Sequence, residues 1–256
     1  MTKYFCVADV HSFYDEMIYA LNEAGYDKNN PDHIFVSCGD MFDRGSQSRE
    51  VLEFLNSIPN EKKILICGNH EILMHQMIYG SDYPRTIDIK NGTWKTACDI
   101  TQADRAEVIE KMRKNKEWQE YYSNTKYYAT IGNYIITHAW IPCEIAYHRD
   151  VYGKVYTSYS IIPIEDWDKY EYEYDWEKTF TWANGMELWS KGICIEGKTI
   201  ICGHWNVSWG HKNIHKTCKT EFKEDAIHEP FIDEGIVALD ACTVVSHKVN
   251  CFVFEV

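Results

Sequence analysis

The sequence predicts an α/β fold with a parallel core, and three observations carry that prediction. First, five short apolar runs share one shape: YFCVADVH (4–11), HIFVSCGD (33–40), KILICGNH (63–70), NYIITHAW (133–140) and KTIICGHW (198–205). Each opens with β-branched or aromatic residues nearly free of polar atoms, as strands buried on both faces require. Second, helical patterns separate the early runs. Third, every run ends in a turn and a polar residue able to bind a metal. Strand–helix–strand alternation of this kind implies βαβ units.

The elements follow in order. After the first run, Tyr14–Ala24 places Met17, Ile18, Ala20 and Leu21 on a 3.6-residue period, and Ser48–Ser57 does the same with Val51, Leu52, Phe54 and Leu55. Three runs end in Cys-Gly before Asp40, Asn69 or His204. A glycine there lets the chain leave the strand sharply and lift the next side chain to the sheet edge. Residues 71–130 read as mostly helical, with Ala106–Lys116 apolar only at Val108, Ile109 and Met112. Residues 141–192 form a second excursion containing the acidic, aromatic stretch EDWDKYEYEYDWEKTFTW. It reads either as a solvated surface loop or as a wall beside a site. The end, GIVALDACTVVSHKVNCFVFEV, reads as an antiparallel hairpin closing a sheet. With no linker or repeat, a single domain over residues 1–256 is expected.

Composition narrows the function. The 256 residues hold 26 Lys+Arg against 39 Asp+Glu, a net charge of −13. That balance excludes a protein working mainly by gripping nucleic-acid phosphates. No apolar run approaches membrane-spanning length, so no membrane partner is expected. The opening MTKYFCVADVH runs straight into candidate ligands, which leaves no room for a cleavable signal peptide. The ten cysteines form no C-x-x-C pair and read as reduced, mostly buried residues of a cytoplasmic protein.

Asp9, His11, Asp40, Asn69, His138 and His204 stand at strand ends, on strands expected to share one sheet. In an open parallel sheet, ligands bind outside those ends. Oxygen and imidazole donors without thiolate suit manganese, iron or zinc. Six donors exceed one structural zinc and match two ions sharing a carboxylate. Any one of these histidines alone would read as a core or loop histidine.

These residues also carry a family resemblance. Asp9-Val10-His11, Gly39-Asp40-Met41-Phe42-Asp43-Arg44-Gly45 and Gly68-Asn69-His70-Glu71 resemble the D-x-H-G, G-D-x-x-D-R-G and G-N-H-E signatures of calcineurin-like metallophosphoesterases. More narrowly, they resemble the phosphoprotein phosphatase branch, which includes serine/threonine protein phosphatases and bacterial diadenosine tetraphosphatases. Thr137-His138-Ala139 and Gly203-His204 resemble the later H-A-G and G-H signatures. The resemblance implies a metallo-dependent phosphatase fold, a central two-sheet β-sandwich flanked by helices. It implies that Asp9 and His11 bind a first metal, that Asp40 bridges, and that Asn69, His138 and His204 complete a second. Manganese is the first expectation. Arg44 would clamp phosphate, with Asn69 also reaching it, and His70 oriented by Asp43 would protonate the leaving oxygen.

The match departs in places. Ser12 replaces a glycine, so its turn must tolerate a β-carbon. Trp140 also replaces a glycine; it either lines the substrate site as a stacking surface or packs under the second excursion. Trp189-Ser190-Lys191 resembles W-x-R with lysine for arginine, so Lys191 reads as a phosphate ligand without the bidentate fork, or as a solvated lysine. Asn91-Gly92-Thr93-Trp94-Lys95-Thr96 resembles an N-G-G-x-x-T stretch of bacterial members. His211 and His215 have i,i+4 spacing but no clear helix, and read as surface residues, as do His75, Arg149 and the tyrosines of 170–174. The expected activity is a dinuclear-metal phosphohydrolase. A serine/threonine phosphoprotein phosphatase comes first, and a dinucleoside polyphosphate hydrolase, with Trp140 or Trp205 stacking on a base, is the alternative. A metal-binding scaffold without catalysis is opposed by the presence together of Asp43, His70 and Arg44.

Overall fold

The computed structural model describes residues 1–169 and 179–256. Two five-stranded sheets pack face to face. The first has the order β12-β1-β2-β3-β4, with β1 (Lys3–Val7), β2 (His33–Ser37), β3 (Lys63–Ile66) and β4 (Thr125–Lys126) parallel and β12 (Cys251–Glu255) antiparallel at the edge. The second has the order β10-β11-β9-β6-β5. Here β11 (Ile236–Ala238), β9 (Thr199–Cys202) and β6 (Tyr134–Thr137) are parallel, while β10 (Phe231–Asp233) and β5 (Tyr128–Ile131) are antiparallel edges.

Side-chain alternation explains the layers, since successive strand residues face opposite sides. Cys6, Val36 and Ile66 from the first sheet meet Ile136, Ile201 and Val237 from the second in the core between the sheets. Their neighbours Phe5, Val7, Phe35 and Leu65 face outward, under α1 (Tyr14–Glu23), α2 (Ser48–Ser57), α3 (Asn69–Tyr79) and α5 (Thr93–Thr101). The same helical layer includes α4 (Thr86–Asn91), α6 (Val108–Lys114) and α7 (Lys116–Ser123). Ile135, Ile200, Cys202 and Ile236 face the other way, into a third apolar cluster with Trp140, Trp167 and Phe180. Strands covered on both faces are what the unbroken apolar runs predicted, and the α/β sandwich stands.

Two expectations need correcting. The terminal segment is not a hairpin: β11 pairs with β9 in the second sheet, whereas β12 pairs with β1 in the first. The intervening residues, with the short helix Thr243–Ser246, cross between the sheets. Apolar alternation marks a strand but not its partner, and the tight turn lies earlier, between β10 and β11. The ligand-bearing strands, likewise, do not share one sheet. β1, β2 and β3 lie in one and β6 and β9 in the other, with their carboxyl ends converging at one end of the sandwich.

The second excursion begins as an antiparallel hairpin, β7 (Cys143–Arg149) with β8 (Val155–Ile161), in a small sheet of its own. Its base is anchored by Cys143, Ile162, Trp167 and Phe180 in the third cluster. Tyr170 and the other tyrosines of 170–174 lie outside the described residues. Among the described residues, no helix is long and apolar enough to cross a membrane.

Candidate metal centre

Backbone geometry delivers the candidate ligands. Asp9, His11, Ser12, Asp40, Asp43, Arg44 and His204 all have positive φ, between 50° and 75°. Side chains rarely adopt that region, and strained residues of this kind gather at functional sites. The glycines are required by close approach. A β-carbon at Gly68 would collide with the Asp40 carboxylate, and one at Gly203 with that of Asp9. Ser12 keeps its β-carbon at φ 60°, with its hydroxyl bonded to that of Ser48 at 2.9 Å.

Asp40 sits at the centre, buried beyond the end of β2. One carboxylate oxygen, Oδ2, faces His11 Nε2 at 4.0 Å and His70 Nε2 at 3.9 Å. The other, Oδ1, lies 3.4 Å from His138 Nε2 and accepts the His70 backbone N–H at 2.9 Å. Two groups of ligand atoms result, His11–Asp40–His70 and Asp40–His138–His204, and Asp40 belongs to both. Asp9 belongs to neither; its Oδ2 accepts the His204 N–H at 2.8 Å, which ties the two sheets together. Asn69 Oδ1 accepts from His138 Nε2 at 3.0 Å.

The histidines are oriented from behind. His11 Nδ1 donates to the Phe42 carbonyl at 2.9 Å, and His138 Nδ1 to that of Cys38 at 2.8 Å. Such bonds fix the tautomer and turn Nε2 toward a metal. Burial, with His70 beside it, pulls His11 down to about 3; burial and His138 do the same for His204. Both are therefore neutral imidazoles at neutral pH, the form that ligates. His138 differs: Asp40 and Asp9 outweigh its burial and lift it to about 10. Burial, reinforced by Asp240, holds Asp9 well above the usual carboxylate range. Three buried acids, Asp9, Asp40 and Asp240, thus share this small volume. Ionising all three together there needs a compensating cation. Carboxylate and imidazole donors around a shared carboxylate fit a pair of divalent ions, and such binding would displace the extra proton from His138.

Beside this cluster stands a second arrangement. His70 Nδ1 lies 2.7 Å from Asp43 Oδ2, with both side chains buried. Burial draws His70 down, but Asp40 and Asp43 outweigh it and hold the imidazolium above its ordinary value. Asp43 is itself held: Oδ2 accepts the Thr93 hydroxyl at 2.6 Å, and its N–H donates to Thr96 Oγ1 at 3.1 Å. The 91–96 stretch thereby finds its purpose, since Gly92 lets it pack against the Arg44 backbone. Arg44 Nη2 lies 3.3 Å from His70 Nε2, on the solvent side. Glu71 braces the whole floor. Its Oε2 accepts N–H groups of Asp40 and Gly68 at 2.9 and 2.8 Å, and Oε1 accepts Met41 N–H at 2.9 Å and the Tyr121 hydroxyl at 3.1 Å.

The pattern of these strand ends agrees with comparison to known proteins. The sequence profile of the calcineurin-like phosphoesterase family matches residues 2–237. The chain belongs to that family. That family is one of phosphoesterases, and it implies divalent metal ions. Among its curated relatives is the asymmetrical bis(5'-nucleosyl)-tetraphosphatase PrpE of Bacillus velezensis, 26% identical over 153 residues, 55% of this chain and 57% of that protein. The Bacillus subtilis protein of the same name is 25% identical over 55% of this chain and 59% of its own length. A symmetrical bis(5'-nucleosyl)-tetraphosphatase of Psychromonas ingrahamii is 37% identical over 78 residues, 29% of the phosphoesterase and 27% of that protein. The matches to the two Bacillus proteins thus span little more than half their length. Solved structures share the fold. A cold-active protein-tyrosine phosphatase of a Shewanella species has a TM-score of 0.53 at 16% identity, covering 100% of this chain and 76% of that one. A protein serine/threonine phosphatase of Saccharomyces cerevisiae has a TM-score of 0.52 at 13% identity, covering 100% and 80%.

Other residues singled out in the sequence lie away from the cluster. The Lys191 ammonium bonds Glu187 at 2.6 Å and the Tyr159 hydroxyl at 3.1 Å, and none of its described bonds reaches the site. Trp140 is fully buried with Nε1 donating to the Ile193 carbonyl at 2.9 Å, so it packs and offers no stacking surface. His211 donates toward the Glu229 carbonyl and His215 pairs with Asp233 at 2.9 Å. His75 stacks on Tyr122, and Arg149 lies exposed on β7. Sequence reading missed Asp240, whose only signal is its place just after β11, the same strand-end position the other acids occupy.

Proposed function

We propose that this phosphoesterase uses two divalent metal ions, manganese first among them, to hydrolyse dinucleoside polyphosphates. The reaction rests on one observation: the two oxygens of Asp40 point into two separate imidazole groups. Asp9, His11 and Asp40 would hold one ion, and Asp40, Asn69, His138 and His204 the other. Bound there, the ions would supply charge neutralisation and an activated water for in-line attack on phosphorus. The substrate class rests on the relatives, several of which are named as bis(5'-nucleosyl)-tetraphosphatases. That favours the nucleotide over a phosphoprotein, because the likeness to protein phosphatases lies in the fold alone.

The chain's own residues account for the rest. Asp43 accepts from His70 Nδ1, so in the imidazolium the second proton sits on Nε2, the nitrogen that faces the cluster. His70 acts as general acid on the leaving oxygen, a contribution of roughly 10²–10⁴-fold. Arg44 stands beside that nitrogen with a planar guanidinium suited to phosphate oxygens. Lys191 takes no part in this reading, its charge being matched by Glu187. The dyad has no use in a non-catalytic scaffold. The test is competition between diadenosine tetraphosphate and a phosphoserine peptide in one manganese-supplemented assay. Preferential turnover of the nucleotide supports the reading, and exclusive turnover of the peptide overturns it.

A further inference from the structure

Two exposed indoles flank the centre. His204 has the Trp182 ring 5.7 Å away and the Trp205 ring 6.0 Å away, both in edge-on geometry. Trp182 is 46% exposed and Trp205 38%, unlike Trp140 and Trp118 in the interior. Each therefore keeps part of its ring open to solvent beside a polar site, where a flat apolar group could cover it.

Both are held in place by backbone. Trp205 follows the positive-φ turn at His204, and its N–H donates to the Gly203 carbonyl at 2.8 Å. Trp182 continues a segment whose carbonyls at Thr179 and Phe180 accept the N–H groups of Trp140 and Ala139, at 3.0 and 2.6 Å. That segment is thereby pinned to the loop after β6, the same loop that carries His138. The two rings are thus carried on backbone joined to the two loops that hold His138 and His204.

We infer that Trp182 and Trp205 form an aromatic subsite that stacks on the nucleobase of a nucleotide whose phosphate lies at the Asp40 cluster. The inference rests on the nucleotide reading of the site and names how that site would recognise its substrate. Every base has a π-face, so such a platform accepts adenine or guanine alike, and selects nucleotides over base-free phosphoesters. It lies on the His204 side of the cluster, while Arg44 and His70 lie on the His11 side. The base recognised would therefore sit on the side away from the proposed general acid.

The experiment compares AMP with ribose 5-phosphate, which carries the same phosphate and no base. Binding is read from intrinsic tryptophan fluorescence and from inhibition of phosphoester hydrolysis. AMP is expected to quench the emission and to inhibit roughly tenfold to hundredfold more tightly than ribose 5-phosphate, the range stacking on one aromatic platform provides. Trp205→Leu and Trp182→Leu should each shrink that ratio several-fold, and Trp205→Phe should restore most of it. Equal inhibition by the two compounds, or a ratio that survives both leucine variants, overturns the subsite. Turnover of diadenosine tetraphosphate is scored separately. A base preference lost with the tryptophans in an enzyme that spares the dinucleotide leaves the subsite standing and removes the substrate reading. Dinucleotide turnover with an unchanged ratio does the reverse.

Discussion

Glu71→Gln tests the floor of the site. The native carboxylate is an acceptor on both oxygens and takes four donors: Asp40, Gly68 and Met41 N–H and the Tyr121 hydroxyl. Glutamine keeps the shape but turns one oxygen into a donor. With its amide nitrogen at the Oε2 position, two backbone N–H groups lose their acceptor. At the Oε1 position, the Tyr121 hydroxyl rotates to accept, and only Met41 N–H is orphaned. The second arrangement wins. One buried unsatisfied donor, plus the loss of charge from the remaining bonds, costs about 2–4 kcal/mol. In a chain of this length that lowers Tm by roughly 4–16 °C. Because two of the donors belong to Asp40 and its neighbour, the Asp40 carboxylate moves too, and bound metal should fall with stability. Thermal melting by circular dichroism and metal content by mass spectrometry read both effects. Tyr121→Phe, which removes one bond of the four, should cost only about 0.5–1.5 kcal/mol and keep the metal. A Glu71→Gln protein with native Tm and native metal content would refute the bracing role.

The remaining predictions concern chemistry. His70→Asn should lower kcat by roughly 10²–10⁴-fold with metal content retained; unchanged turnover removes the acid assignment. Asp40 and Asp43 together outweigh burial and raise the His70 pKa, and the protonated form is the active acid. The rate should therefore fall on the alkaline side, along a limb displaced upward from that of an ordinary histidine. Asp43→Asn should move that limb toward lower pH, and a limb that stays in place contradicts the pairing. Gly203→Ala should abolish metal binding at the Asp9 side, since its β-carbon occupies the Asp9 carboxylate position; a fully loaded variant shows the approach is not needed. Lys191→Ala should leave kcat/KM within about twofold, because its charge is held by the exposed Glu187. A larger loss would return Lys191 to the phosphate.

Much of the fold was legible because strands buried on both faces leave continuous apolar runs, and the runs ending at Val7, Ser37, Ile66, Thr137 and Cys202 lie where they were placed. What periodicity does not carry is partnership. The residues of β11 and β12 look alike in sequence, yet one continues the second sheet and the other edges the first. The same limit put the ligand strands into one sheet instead of two. Of the site, Asp43 and His70 do lie within hydrogen-bond distance, and Arg44 lies beside them, a neighbourhood that the motif alone did not state. Asp9 joins by way of the His204 backbone, and neither cluster contains it. Asp240 escaped because a single aspartate after a short strand has no spacing partner. Lys191 and Trp140 show the converse: a motif position says nothing about where a long side chain spends its charge, or whether an indole faces inward.

Asp40 is the carboxylate common to the two proposed metal positions. Metal stoichiometry of the native protein and of Asp40→Asn, measured with phosphoester hydrolysis on the same samples, addresses that most directly. Two ions per native chain are expected, with both occupancy and hydrolysis collapsing together in the variant. An Asp40→Asn protein that keeps two ions and full hydrolysis, or a native protein fully active with one ion per chain, would contradict it.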